Sequence, residues 1–399
     1  MTKQDLVDRI QAFNAGRRPK TLKLKYKAMT KNAFGFLRGT CHLFYQDLPV
    51  DIFAKAPPVW ICGDLHFQNF GSFRGDDRLV YFDVNDFDEA VLAPCTWDIA
   101  RFLTSVLVGA HTLGVNDEDA QDLCEYFLNT YTAALETGKS SAVHCATATG
   151  LVQDLLEHLT TRNRQQFLDE RTDLKKKTRS LKLIPEKTFA VSDAEREAVT
   201  TLINTWASHQ PNPKFFNVLD VAHRIAGTGS LGLERYVILV EGDGSPHENY
   251  LLDLKAARSS SLLPYAPLPQ PSWNSQAERI TAIQFRFQES APALLNPLRL
   301  DGKSFVLREL QPTADRVDLN QWNGKLKRLV KVVQTMAGVV AWGQLRSSGR
   351  QGSAIADDLI AFAQDAASWH PLVLDYARSY ASQVEADYQI FEAAWKDLS

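Results

Sequence analysis

A chain of 399 residues with 45% hydrophobic and 23% charged side chains is long enough for two lobes around substantial cores. A net charge of −3 excludes a protein that holds nucleic acid or a membrane surface through bulk charge. No apolar run reaches the length of about 18 residues needed to span a bilayer, and the polar opening "MTKQDLVDRIQAFNAGRRPK" has no signal-peptide core. Five cysteines, Cys41, Cys62, Cys95, Cys124 and Cys145, lie far apart without CxxC or Cys/His clustering, which predicts reduced thiols in a cytoplasmic protein.

Residues 1–50 combine a short helix with basic and aromatic residues, including "KNAFGFLRGT". "PVWICGD" and "RLVYFDV" read as strands joined through the turn "RGDD". From Thr96 the pattern becomes helical: "TWDIARFLTSVLVGAHTLG" and "DAQDLCEYFLNTYTAALETG" repeat apolar residues at three- and four-residue spacing. The basic run at 162–187 reads as a solvated helix face or a loop, with reception of an acidic substrate as the less favoured reading. "FNVLDVAHRIAGTGSLGLERYVILVEGDGSPHENYLLDLKAA" predicts strand, glycine turn, strand, turn, strand. A Pro/Ser-rich loop follows, then a helix over 275–290, a strand at "SFVLREL", a long helix over 320–347 and a helical tail. No internal repeat appears. The order predicts an α+β protein with a small antiparallel-sheet lobe and a larger helical lobe.

The chemistry concentrates in "GDLHFQNFG" and "DVNDFDEA". Each polar residue alone is equally an ordinary turn residue satisfying local backbone. Together they form the set that phosphoryl transfer from ATP requires: a carboxylate near the acceptor and hard oxygen ligands for magnesium. Asp64 is placed to orient or deprotonate the acceptor, and Asn69 and Asp86 to hold the metal. His66 is a brace for the loop rather than a proton carrier.

The GxGxxG at 227–232, carrying Gly227, Gly229, Ser230 and Gly232, is followed by the strand "LERYVILVEG" and not by a helix. That disfavours dinucleotide binding and fits a glycine turn covering ATP phosphates. Lys255, on the apolar strand "YLLDLKAA", is placed to reach the α- and β-phosphates; as a bland alternative it is a surface lysine on an edge strand. Glu278 is the candidate acidic partner of Lys255, with Glu289 competing.

These segments resemble a known catalytic pattern. "GDLHFQNFGSFRGDDRLVYFDVNDFDEAVLAPCTWDIARFL" is similar to the catalytic segment of the aminoglycoside phosphotransferase and choline kinase-like enzymes: G-D-x-H-x-x-N, a hairpin, I-D-[FW], then Pro and D-[LI]-A. The resemblance implies that Asp64 is the catalytic aspartate and that Asn69 and Asp86 are metal ligands. It further implies that Asp98 supports the catalytic loop from a helix start. Asp83 and Asp88 flank the metal position, and Asp88 is able to share the ion. Arg38, in "FLRGT", either holds a phosphate or acidic substrate or braces the fold through buried carbonyls.

Nearly end to end, the chain also resembles the bacterial family called domain of unknown function 2252. The likeness runs through "MTKNAFGFLRGT", "GDLHFQNFG", "NDFDEA", "DVAHRIAGTGSLG", "YLLDLKAA", "FVLRELQP" and "LRSSG". Two positions depart from the family pattern. Ala256 follows Lys255 where the family carries glutamate, and Gln344 and Leu345 stand where a histidine is usual.

Kinase-like chains place glycine loop and lysine before the catalytic loop, whereas here they follow it. The resemblance therefore implies a circularly permuted, two-lobed protein kinase-like fold. Residues 1–214 would form the helical catalytic lobe, with catalytic and metal loops at 63–88. Residues 215–312 would form the nucleotide-covering lobe with "RELQP" as hinge, and 313–399 would complete the helical lobe. The expected function is an ATP- and magnesium-dependent phosphotransferase acting on a small-molecule or protein acceptor, with no nucleic-acid or membrane partner. A nucleotide-binding pseudokinase, AMP transfer to protein and a metal-dependent phosphoesterase are the alternatives.

Overall fold

The computed structural model describes residues 3–49, 53 and 55–398. Four helices open it: α1 (Lys3–Phe13), α2 (Pro19–Met29), α3 (Ala33–Gly39) and α4 (Cys41–Asp47). The sequence suggested one short helix in this region, but local punctuation divides it. Pro19 sits at the first position of α2, and Asn32 caps α3 by accepting from the Gly35 N–H.

β1 (Pro58–Ile61) pairs with β4 (Val91–Pro94), and β2 (Phe70–Arg74) pairs with β3 (Val80–Val84), all antiparallel. The inner hairpin is thus nested in the outer pair, and the two connections, 62–69 and 85–90, emerge side by side. The Asn85 N–H donates to the Asn69 carbonyl at 3.0 Å and ties them together. At Gly63, whose φ is +81°, a Cβ would lie 2.3 Å from the Glu89 carbonyl oxygen. Only glycine permits that approach of the loops.

Helices α5 (Thr96–Ala110), α6 (Asp117–Glu136) and α7 (Gly150–Thr160) follow, then short α8 (Arg164–Asp169). The basic run is neither a long helix nor an open loop: it folds as α8 and the hairpin of β5 (Thr172–Lys175) and β6 (Thr178–Leu181). Its Arg179 is buried, donating to Thr172 Oγ1 at 2.9 Å and pairing with Asp169 at 2.7 Å. Charge density alone does not reveal such an anchor.

A six-stranded antiparallel sheet comes next, in the order β11-β12-β10-β9-β8-β7. Its strands are β7 (Thr188–Ala190), β8 (Val218–Arg224), β9 (Arg235–Val240), β10 (Tyr250–Ala257), β11 (Asn296–Leu300) and β12 (Lys303–Glu309). Helix α9 (Asp193–Ala207) intervenes after β7, and α10 (Gln276–Phe287) after β10. Sheet and covering helix therefore also draw on residues 188–207, upstream of position 215. Period-two alternation explains the two faces. Ile238, Val240, Leu252, Leu254 and Leu307 pack with α9 in one apolar cluster. The other face carries Val237, Leu239 and Leu251 at one end, then Arg235, Asp253 and Lys255 at the other.

The chain ends in α11 (Leu326–Arg346), α12 (Ala356–Gln364) and α13 (Ala366–Leu398), with α11 packed chiefly on α6 and α13 on α5. The largest apolar cluster joins these C-terminal helices to residues near the N-terminus. The protein is α+β, small antiparallel sheets set beside a larger helical part. Among the described residues no helix is long and apolar enough to cross a membrane.

One core residue yields a pH prediction. His42 stacks on Phe13 at 3.8 Å, is 1% exposed, and neither ring nitrogen has a hydrogen-bond partner. Burial, reinforced by Lys25 and Arg9, holds its pKa down to about 2. The unfolded chain takes up a proton below pH about 6.5 and the folded chain does not, so acid removes stability. His42→Phe keeps the ring stack and removes this cost. Its stability relative to wild type should rise by about 2 kcal/mol between pH 7.5 and pH 5, read from denaturant midpoints. An unchanged difference across that range would show that His42 does not set the acid limb.

Candidate active site

The two loops at the end of the nested hairpins face the loop between β8 and β9 across a cleft of about 760 Å³. Asp64, His66, Asn69, Asp86 and Asp88 line one wall, and Gly227, Gly229 and Ser230 the other.

Asp64 is set by Arg101, which is fully buried on α5 and reaches its Oδ1 from Nη2 at 2.8 Å and from Nε at 3.2 Å. Oδ2 remains toward the cleft, 3.9 Å from where a Cβ on Gly229 would stand. A larger side chain at 229 would grow over the Asp64 carboxylate, so the absence of one keeps that oxygen open. Asp98, buried at the start of α5, accepts from the Cys62 N–H at 2.8 Å and the Gly63 N–H at 3.0 Å. It thereby holds the strand end that delivers Asp64. Burial pushes its carboxyl up to about 7 despite those two donors.

His66 is 5% exposed and sits edge-on to Phe34. Its Nε2 faces Arg38 Nε at 3.2 Å, and Nδ1 faces the Gln68 N–H at 3.1 Å. Burial first, then Arg38 and Arg101, hold its pKa well below the ordinary histidine value, so the ring is neutral. That geometry is a brace between helix α3 and the loop.

Asn69 donates through Nδ2 to the carbonyls of Asp64 at 3.1 Å and Asp86 at 3.3 Å. With both donors spent on backbone, Oδ1 is the amide atom left for the cleft. Asp86 and Asp88 meet Lys255, whose Nζ lies 3.0 Å from Asp86 Oδ2 and 2.5 Å from Asp88 Oδ2. Glu278 does not join it. Its carboxylate accepts from the Asn274 N–H at 2.8 Å and from Asn274 Nδ2 at 3.2 Å, because it stands in the first turn of α10 where free N–H groups attract it. Glu289 pairs with Arg346 at 3.3 Å, and Asp83 lies 3.7 Å from the same arginine. Gln344 accepts from Tyr131 in the core at 2.5 Å.

In the glycine loop, Gly227 and Gly232 adopt φ of 78° and 95°, and Ser230 Oγ donates to the Ala226 carbonyl at 3.0 Å. Its position comes from the N-terminal helices, which the sequence reading left without a role. Arg17 Nη1 donates to the Gly229 and Leu231 carbonyls at 2.8 and 2.6 Å, and buried Lys25 reaches Gly229 at 3.4 Å. Burial, then Arg17, pushes Lys25 well below the usual lysine pKa.

A second group missed from sequence lies behind Lys255. Asp253, 1% exposed, meets Arg235 at 2.5 Å, Arg224 at 2.9 Å and Arg308 at 3.7 Å. Arg101 was within reach of pattern reading, one helical turn from Asp98 in "DIAR". Arg17, Lys25 and Arg316 carry no local signal.

The family model of DUF2252, described as an uncharacterized protein conserved in bacteria, matches residues 17–394. The chain belongs to that family. No curated protein and no solved structure matches it.

Proposed function

We propose that this protein is an ATP- and magnesium-dependent phosphotransferase with the two-lobed protein kinase-like arrangement in circularly permuted order. The observation that carries the reading is the meeting of Lys255 with Asp86, 169 residues apart in sequence and 3.0 Å apart in the fold. Other features support it. The glycine loop joins two antiparallel strands, the lysine lies on the third strand of the same meander, and a helix follows, as in kinase-type nucleotide lobes. Residues 215–312 would cover the nucleotide, and residues 1–214 with 313–399 would form the catalytic lobe.

The donor set fits magnesium. Asn69 Oδ1 and the Asp86 carboxylate are hard oxygens on adjoining loops, and magnesium in such sites takes few protein ligands besides phosphate and water. Bound there, the ion would neutralise charge on the phosphate oxygens. Asp86 would hold the ion in place of Lys255, leaving the ammonium available to the phosphates. Asp64, fixed through Oδ1, would present Oδ2 to the acceptor group and take its proton as the acceptor's bond to the γ-phosphorus forms. The bond from that phosphorus to the bridging oxygen would break in the same step, ADP leaving with the bond's electrons. Among the described residues no three His, Cys, Asp or Glu side chains gather as a metal cage, which favours this reading over a metal-dependent phosphoesterase.

The test follows label from γ- and α-labelled ATP into the protein and a cell extract. Label from the γ-position alone is expected, falling on the order of 10³-fold in Asp64→Asn. Label from the α-position would mean AMP transfer; nucleotide binding with no transfer would mean a pseudokinase.

A further inference from the structure

We infer that Arg38 and Arg316 form an oxyanion clamp beside Asp64 and that, resting on the phosphotransferase reading for which molecule it holds, the acceptor carries a phosphate or carboxylate besides its reacting group. Both arginines line the cleft. Arg38 spends Nε on His66 and Nη1 on Gln68 Oε1, at 2.8 Å for the latter, and Nη2 is neither bonded to any described residue nor sealed from solvent. Arg316 makes no hydrogen bond or ion pair through its guanidinium with any described residue, and its N–H groups are likewise not sealed from the cleft.

Two guanidiniums lining one cleft, neither in an ion pair with a described carboxylate, are an unfavourable resting arrangement. Each is less basic than an ordinary arginine: burial lowers Arg38, then Arg316 does, and burial lowers Arg316 despite attraction to Asp86. The neighbouring carboxylates are already engaged, Asp64 by Arg101 and Asp86 by Lys255. A planar fork with free N–H donors suits phosphate or carboxylate oxygens, which would satisfy both cations at once.

Position favours the acceptor over the nucleotide. The nucleotide's phosphates have the glycine loop, Lys255 and the Asn69–Asp86 pair. Arg38 is instead attached to the loop that carries Asp64, through His66 and Gln68, two and four residues beyond it. Arg316 comes in on the segment after β12 and bridges β2 at Gly71. An acceptor held by such a clamp has its reacting hydroxyl or amine aligned on Asp64 by a charge elsewhere on the molecule.

The experiment is calorimetric titration of the full chain with inorganic phosphate, alone, with magnesium and ADP, and with magnesium and a non-hydrolysable ATP analogue. Phosphate is expected to bind in all three arms. Arg316→Met, which removes no hydrogen bond or ion pair to a described residue, should weaken it about ten-fold or more, with partial recovery in Arg316→Lys. Circular dichroism checks that the variants fold. Loss of phosphate binding only when the analogue fills the γ-position would overturn the acceptor assignment and give the clamp to the transferred phosphate. No binding by wild type, or equal binding by Arg316→Met, would overturn the clamp. If the analogue itself fails to bind, the phosphotransferase reading and the acceptor assignment fall, while Arg316-dependent phosphate binding still supports the clamp.

Discussion

If the proposed function holds, magnesium and ATP should raise the thermal midpoint of the wild-type chain, and Asp86→Ala should abolish that rise. A ligand at about 100 times its dissociation constant adds about 2.7 kcal/mol to the folded state, a shift that scanning fluorimetry reads without difficulty. The claim singles out Asp86 from a crowded acidic loop for an electrostatic reason. Its partial burial opposes ionisation, but Lys255 and Arg308, with a hydrogen bond from Lys255 and the charge of Arg235, hold its pKa well below the usual carboxylate range. Asp88 shifts the other way: burial and the adjacent Asp86 charge raise it, against the pull of Lys255. Asp86 is thus held as an anion and, on the proposed function, is the carboxylate offered to magnesium, with Asp88 beside it able to share the ion. Removing Asp86 leaves Lys255 its contact with Asp88 at 2.5 Å, and the Asp86 side chain is 44% exposed, so the fold itself should lose little. Asp88→Ala should reduce the ligand-induced shift without abolishing it. A full shift in Asp86→Ala would remove this residue from the nucleotide site and the carrying observation with it.

What could be read from sequence was what is local. "GDLHFQN" places an aspartate and an asparagine on one connection, directly after the apolar strand "PVWI". Asp98 was legible through the resemblance, which implies a helix-start aspartate behind that loop. Lys255 stood out because it interrupts an apolar strand. The partner of Lys255 was not legible, since Glu278 has a competing local use at the start of α10 and the carboxylates that take its place arrive from another part of the chain. Arg17 and Lys25 contact a loop 212 and 204 residues away, with no pattern around them that points there. The run at 162–187 misled in the opposite sense: a dense charge pattern usually marks solvent, yet Arg179 within it is buried as a hairpin anchor.

The charged group behind Lys255 carries the largest stability effect. Asp253 faces inward from β10 with three arginines around it, and burial of its carboxyl is outweighed by Arg224 and Arg235, which hold its pKa far below the usual range. Its contribution is complete above pH about 4, the unfolded value, and is lost progressively as pH falls below that. The same arginines reach outward: Arg235 to the Ala226 carbonyl at 3.3 Å, Arg224 to Gln311 at 2.8 Å and Arg308 to Asn85 at 3.1 Å. One carboxylate thus fixes the entry to the glycine loop, the segment after β12 and the loop of Asp86. Asp253→Asn keeps the shape but leaves three guanidiniums without the carboxylate they pair with. The expected loss is about 3–5 kcal/mol, read as a lower urea midpoint. Adding Arg235→Gln to that variant should recover part of it, because it removes one of the cations left unpaired. Since both changes lie outside the cleft wall, any loss of nucleotide binding in the double variant would come through the three anchored segments. A loss under about 1 kcal/mol in the single variant would mean that Asp253 is not what holds the arginines in place.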